Sequence, residues 1–316
     1  METAASVTAN STQTTLVLNV SGILKSVCLL PVVVIFLYFI ILMLHTFCSE
    51  ASFRDSTRYR LFAHMLVTDT ILLTVSVTLL LFIVMKMKIP ATVCYIVIII
   101  SGVNFLNTPL NLATMSLERY IAICFPLRHA ELCRVERLWI AIFVNLMLAI
   151  LPYVMDFYFL LNYKQITVFS QTVSCNREAV IFTSAQATLL ALTYAIYFIL
   201  VGTTILYTYI KIMLASRKVT TNKASVLKAR KTVTLHAVQL VLCLGAFAYP
   251  LLETFLNRVH DWLRENLSYV NFYIFMLFPR FLSPLIYGLR DETFRSYMKR
   301  YMPCYSSKIA PTVGSK

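Results

Sequence analysis

Three sets of residues in this sequence have types and positions suited to chemistry. Glu118, Arg119 and Tyr120 stand where a run free of charge, from Ile89 to Leu117, comes to an end. A carboxylate and a guanidinium side by side, where a buried helix meets water, can bind each other or change partners. One such triplet is common by chance, and a solvated helix end is its plain alternative. Asp69 and Arg280 lie inside apolar stretches, where an ionised group is expensive and is usually paired. Cys94 and Cys175 can join only if both reach an oxidising compartment. No nucleophile, base and orienting group occur at recognisable spacing, so an enzyme is not expected. The eight cysteines are scattered without a C-x-x-C pair, and no histidine cluster has metal-ligand spacing. Neither a metal nor any other cofactor is expected.

These residues are carried by an unusually apolar chain. Of 316 residues, 59% are hydrophobic and 13% charged, more apolar surface than a soluble domain can cover. Cut at the flanking charges, the sequence divides into seven apolar segments: 23 to 47, 61 to 85, 90 to 117, 138 to 160, 180 to 210, 232 to 256 and 266 to 289. Each is long enough to cross about 30 Å of hydrocarbon as a helix, the form in which one segment satisfies its own backbone. Asp156 and Arg280 interrupt the fourth and seventh. The expected fold is all-α, a seven-transmembrane helix bundle, with a short amphipathic eighth helix in the stretch from Asp291 to Met302. Residues 1–22 then form an extracellular tail, 23–289 the bundle, and 290–316 a cytoplasmic helix and tail.

Lys and Arg set the orientation. With the N-terminus outside, the inner connectors and tail hold 20 basic and 7 acidic residues, and the outer segments 7 and 6. The chain is therefore expected in the plasma membrane, N-terminus out and C-terminus cytoplasmic, with lipid as a partner. The net charge of +14 sits in connectors rather than on a stripe with interleaved aromatics, which argues against nucleic acid. The N-terminus lacks the basic start and cleavage site of a signal peptide, so the first span directs insertion. Glycosylation sequons at Asn10 and Asn19 fall on the outer side, as does Asn266 near the last outer loop. Cys94 and Cys175 fall there too; a bridge would pin the loop after the fourth span over the bundle, and two free thiols are the alternative. Cys304, beyond the amphipathic stretch, is a juxtamembrane palmitoylation candidate.

Seven spans with E-R-Y at the inner end of the third resemble a rhodopsin-like (class A) G-protein-coupled receptor. Cys94 precedes Arg119 by 25 residues, about 37 Å of helix, which puts the two at opposite membrane faces. The run Met115 to Cys124 with Phe125-Pro126-Leu127-Arg128-His129 is similar to the M-A-x-(D/E)-R-Y-V-A-I-C-x-P-L-R-Y of odorant receptors, especially the fish type. Lys228-Ala229, Thr232 and His236 resemble their K-A-x-x-T-x-x-x-H, and Ser283-Pro284-Leu285-Ile286-Tyr287 their N-P-x-I-Y, with Ser283 in place of Asn. The resemblance implies a chemosensory receptor that activates a heterotrimeric G protein, of the stimulatory olfactory type. A receptor of this class for a lipid or metabolite is the alternative. A transporter is the remote one, because paired broken half-helices and a chain of intramembrane acids are missing. Amine receptors carry a carboxylate in the outer half of the third span, whereas no acid lies between Lys88 and Glu118. Opsins need a Lys in the seventh, and residues 266 to 289 have none.

Candidates to line a ligand pocket in the outer half are Ser101, Asn104 and Phe105, then Leu251, Leu252 and Phe255, then Tyr273, Met276 and Leu277. Ordinary helix packing is the alternative for each. Together they suit a small, largely apolar molecule such as an odorant. Receptors of this class commonly hold Na⁺ on the acid matching Asp69; here Arg280 is expected to pair with Asp69 in its place, or else to reach water or a backbone carbonyl. Pro109, Pro250 and Pro284 break internal helix hydrogen bonds, the last two as candidate hinges. On activation Arg119, released from Glu118, is expected to join Tyr209 and Tyr287 around an inserted G-protein helix, with Tyr120 and His236 in the same switch region.

Overall fold

The computed structural model describes residues 27–85, 87–162, 171–175, 180–181, 183–218, 272–282 and 292–301, with isolated positions at 238, 241, 242, 245 and 270. Five helices are long and apolar enough to span a membrane: α1 (Val27–Ser49), α3 (Thr57–Val84), α4 (Ala91–Cys124), α6 (Val135–Asn162) and α7 (Ser184–Lys218). A shorter apolar helix, α8 (Phe272–Leu282), lies within the seventh apolar segment. Most of the sixth segment falls outside the described residues. Short helices α2 (Ala51–Arg54) and α5 (Pro126–Leu132) fill two connectors, and α9 (Glu292–Arg300) follows the last span.

Several helices run past the charges used to cut the sequence. Arg58 and Arg60 belong to the first turn of α3, and α4 continues through Glu118-Arg119-Tyr120 to Cys124. Charge ends an apolar run but not a helix, because Arg and Glu are good helix formers and their long stems reach the interface. Within the spans, hydroxyls turn back on their own helix: Thr70, Thr74 and Thr78 donate to the carbonyls of Leu66, Thr70 and Thr74 at 2.7, 2.8 and 2.9 Å. This satisfies each side chain without a partner from lipid.

Helix α4 is the hub, packed against α3, α6 and α7. Asn145 of α6 donates to Thr114 of α4 at 2.8 Å, and Tyr197 of α7 donates to the Leu148 carbonyl of α6. Gly102 of α4 lies under the Tyr153 ring, so close that a Cβ would stand 1.8 Å from the phenolic oxygen. One core cluster centres on Leu106, Leu110, Ala149 and Val201, between α4, α6 and α7. Another gathers Phe36, Ile40, Leu66 and Leu73 of α1 and α3 with Leu277, Phe294 and Met298 of α8 and α9.

Two features cap the ends. Strands β1 (Lys88–Pro90) and β2 (Thr172–Ser174) pair antiparallel, Ile89 opposite Val173, an element the sequence reading did not expect. Three-residue strands have too little alternation to register as a pattern. At the other end α9 buries Phe294 and Met298, four residues apart on one face. The Phe294 ring lies 5.2 Å from Phe53 of α2 and 6.0 Å from Tyr59 and Phe62 of α3. The expected amphipathic helix is thus held by an aromatic clasp.

Candidate functional site

At the triplet end, the α4 backbone carries Glu118, Arg119 and Tyr120 past the last apolar turn. The Glu118 side chain is 11% exposed, and its Oε1 accepts from Nε2 of His129 on α5 at 3.1 Å. Pro126 opens α5 at a position where a missing N–H costs little. Beyond α5, the Cys133 carbonyl accepts from Thr57 Oγ1 at 2.7 Å, tying this connector to α3. Burial pushes the Cys133 thiol up, and the Glu118 charge adds to the shift. Arg119 is half-buried. The Tyr120 ring lies 5.6 Å from Phe125 and 5.8 Å from Tyr207 of α7, with Lys211 Nζ 5.6 Å over Tyr207. Tyr209, the residue expected from the sequence, is half-buried two positions further along α7.

In the middle of the bundle Arg280 Nε lies 3.7 Å from Asp69 Oδ1, with the two side chains 5% and 2% exposed. Thr108 of α4 donates to the same carboxylate oxygen at 3.1 Å. The guanidinium also donates to the Met276 carbonyl, so the ion pair and the backbone contact, posed as alternatives, coexist. Pro279 supplies a physical reason for the local geometry: it cannot donate to the preceding turn, and residues Phe272–Leu277 adopt the wider π-helical winding. A buried carboxylate with a buried guanidinium beside it already holds its counter-charge.

At the disulfide end Cys94, in the first turn of α4, is bonded to Cys175 just after β2. The backbone N–H of Ala91 also donates to the Gln171 carbonyl at 2.9 Å. Asp156, which interrupts the fourth apolar segment, accepts from Tyr95 of α4 at 3.1 Å and from Gln186 of α7 at 2.9 Å. Of the ligand candidates, Ser101, Asn104, Phe105, Tyr273 and Met276 are half-buried. The Asn104 amide donates to the Ile100 carbonyl of its own helix at 2.8 Å, and the Phe105 ring lies 6.0 Å from Tyr194. Leu277 is 3% exposed and packs in the α1–α3 core. An apolar groove of about 400 Å³ opens between α1 and α8, lined by Cys28, Val32, Val270, Tyr273 and Ile274.

Residues 40–287 match the 7 transmembrane receptor (rhodopsin family). The chain belongs to that family. Two relatives are named as odorant or olfactory receptors. It is 32% identical over 285 residues to odorant receptor 131-2 of Danio rerio, covering 89% of this chain and 86% of that protein. To olfactory receptor 52A5 of Homo sapiens it is 28% identical over 196 residues, 59% of this chain and 60% of that one.

Leu251, Leu252, Phe255, His236, Pro250, Pro284, Tyr287, Asn10, Asn19 and Cys304 lie outside the described residues. Three partners escaped the sequence reading: His129, Thr108 and Gln186. For His129 a signal was present, since it stands where the odorant-receptor pattern has Tyr. Thr108 and Gln186 carry no such mark; only the packing of α4 on α3 and of α7 on α6 brings them to their carboxylates.

Proposed function

We propose that this chain is an odorant receptor of the plasma membrane. It binds a small, largely apolar molecule in the half of the bundle nearer the disulfide and activates a heterotrimeric G protein at the triplet end. The observation that carries this reading is the likeness, through most of the chain, to a fish odorant receptor. The N-terminal tail, 1–22, faces out and the tail from 290 faces the cytoplasm, a direction supported by the excess of Lys and Arg in the connectors of the triplet end. The G protein is of the stimulatory olfactory type.

The half-buried side chains of Ser101, Asn104, Phe105, Tyr273 and Met276 offer apolar area with few hydrogen-bonding groups, which favours size and shape over charge in choosing a ligand. Leu251, Leu252 and Phe255 of the sixth apolar segment are further ligand contacts in this reading. Agonist acts by population shift, through its differential affinity for a state open at the triplet end. In that state Arg119, Tyr209 and Tyr287 surround the inserted helix of the G protein, with Pro250 and Pro284 as hinges. Arg280 takes the place beside Asp69 that a sodium ion holds in other members of the class.

Cells carrying a cyclic AMP reporter, exposed to a panel of dissolved small odorants, test the reading. At least one compound is expected to raise cyclic AMP in a saturable way, and Arg119→Ala at equal surface expression to abolish the rise. Saturable responses only to long-chain lipids would favour the lipid-receptor alternative instead.

A further inference from the structure

Besides its neighbours in the triplet, Glu118 is held from a different element. Its Oε1 is 3.1 Å from His129 Nε2, and the carboxylate is mostly buried while the imidazole is about one-third exposed. We infer that His129 is the positioning residue of the signalling latch, clamping α5 against α4 through Glu118 and loosening when its ring loses a proton. The inference rests on the receptor reading above and deepens its coupling site.

The physical case has two parts. A hydrogen bond to a carboxylate from a charged donor is roughly twice as strong as one from a neutral donor, and histidine is the side chain that changes charge near neutral pH. The neighbouring charged and titratable groups do not share that property. Arg119 lies beside Glu118 on α4, Arg128 and Glu131 are exposed on α5, and Arg58 and Arg60 open α3. The arginines keep their charge throughout, and Glu131 faces water rather than the pair. The Cys133 thiol is pushed up and away from neutrality. The docking of the connector on α3 uses Thr57 and a carbonyl, neither of which titrates. With His129 protonated, the pair holds α5 down and Glu118 is occupied. With His129 neutral a hydrogen bond survives without its charge, and the open state gains population.

The test measures agonist-independent GTPγS loading in membrane fragments bearing the full-length receptor and a stimulatory olfactory-type G protein, in buffers from about pH 6 to pH 8. Wild type is expected to rise roughly threefold to fivefold with pH, after normalising to a constitutively active receptor of another family. His129→Phe should be high and flat across the range. His129→Asn, which keeps a neutral donor, should be flat at an intermediate level. Glu118→Gln should be high and flat. A high Glu118→Gln with His129→Phe indistinguishable from wild type overturns the role of His129 and leaves the latch standing. If neither variant departs from wild type, the latch itself falls and this inference with it. A pH slope that survives in His129→Phe also overturns it.

Discussion

The two ends of the bundle are organised differently. At the disulfide end, polar groups are joined across long stretches of sequence: Cys94 to Cys175, 81 residues apart, and Asp156 to Tyr95 and Gln186 at separations of 61 and 30. At the triplet end the connector is tied to α3 by one long-range bond, Thr57 to the Cys133 carbonyl, 76 residues apart, but the contact that holds the triplet's own carboxylate, Glu118 to His129, spans 11 residues. It lies between a helix and the connector that immediately follows it. Long-range links restrict the chain as a whole, so their loss is felt as stability. A short-range contact on a half-exposed connector can open with little disturbance of the core, so its loss is felt as a change in the resting state. One end is cross-linked, and the other rests on a contact with a half-exposed connector.

The contrast can be broken or sharpened by mutation. The largest effect is expected between the two ends. Asp69→Asn or Arg280→Ala alone leaves one buried group without its partner, a loss of about 3–5 kcal/mol. Surface expression and the temperature of half-inactivation in detergent should fall sharply in both. The double variant Asp69→Asn/Arg280→Gln should recover most of the loss; singles as stable as the double would refute the pair. Ligand binding should be insensitive to sodium, and sodium sensitivity that Asp69→Asn abolishes but Arg280→Ala leaves intact would contradict the built-in counter-charge.

Next in size is Cys94→Ser, which removes the cross-link and is expected to cost about 2–4 kcal/mol. Proteolysis of the connector after α6 should speed up by at least about tenfold. Smaller still, Tyr95→Phe and Gln186→Leu should each cost about 1 kcal/mol, with a non-additive double because both act on Asp156. Their basal signalling should match wild type. The smallest stability effect belongs to the triplet end: Glu118→Gln should change the melting temperature little while raising basal cyclic AMP at equal surface expression. A Glu118→Gln receptor with lowered stability and unchanged basal signalling would erase the distinction between the ends.

Legibility in the sequence follows the same division. The five described spans lie where the apolar segments put them, because crossing lipid demands about twenty consecutive apolar residues, and that demand is written in composition. The helix ends were less legible, since the cuts at Arg60, Leu117 and Ile210 ignored that charged residues continue a helix beyond the hydrocarbon. The disulfide partners could be proposed from their shared side of the membrane. The hairpin between them could not, because three-residue strands leave no periodic trace.

The sequence by itself determined that this is a multi-span membrane chain with a charged triplet closing its third span, that Asp69 and Arg280 needed partners, and that α9 would be amphipathic. Each of these rests on hydropathy, charge or spacing along one helix, quantities that need no knowledge of neighbours. Only the tertiary structure decided which partner each polar group meets. It gave Glu118 to His129, gave Asp156 to Tyr95 and Gln186, and let Arg280 serve both Asp69 and Met276. In an apolar interior such pairings depend on where neighbouring helices bring a donor within about 3 Å, and the distance between two helices is a property of the packed bundle.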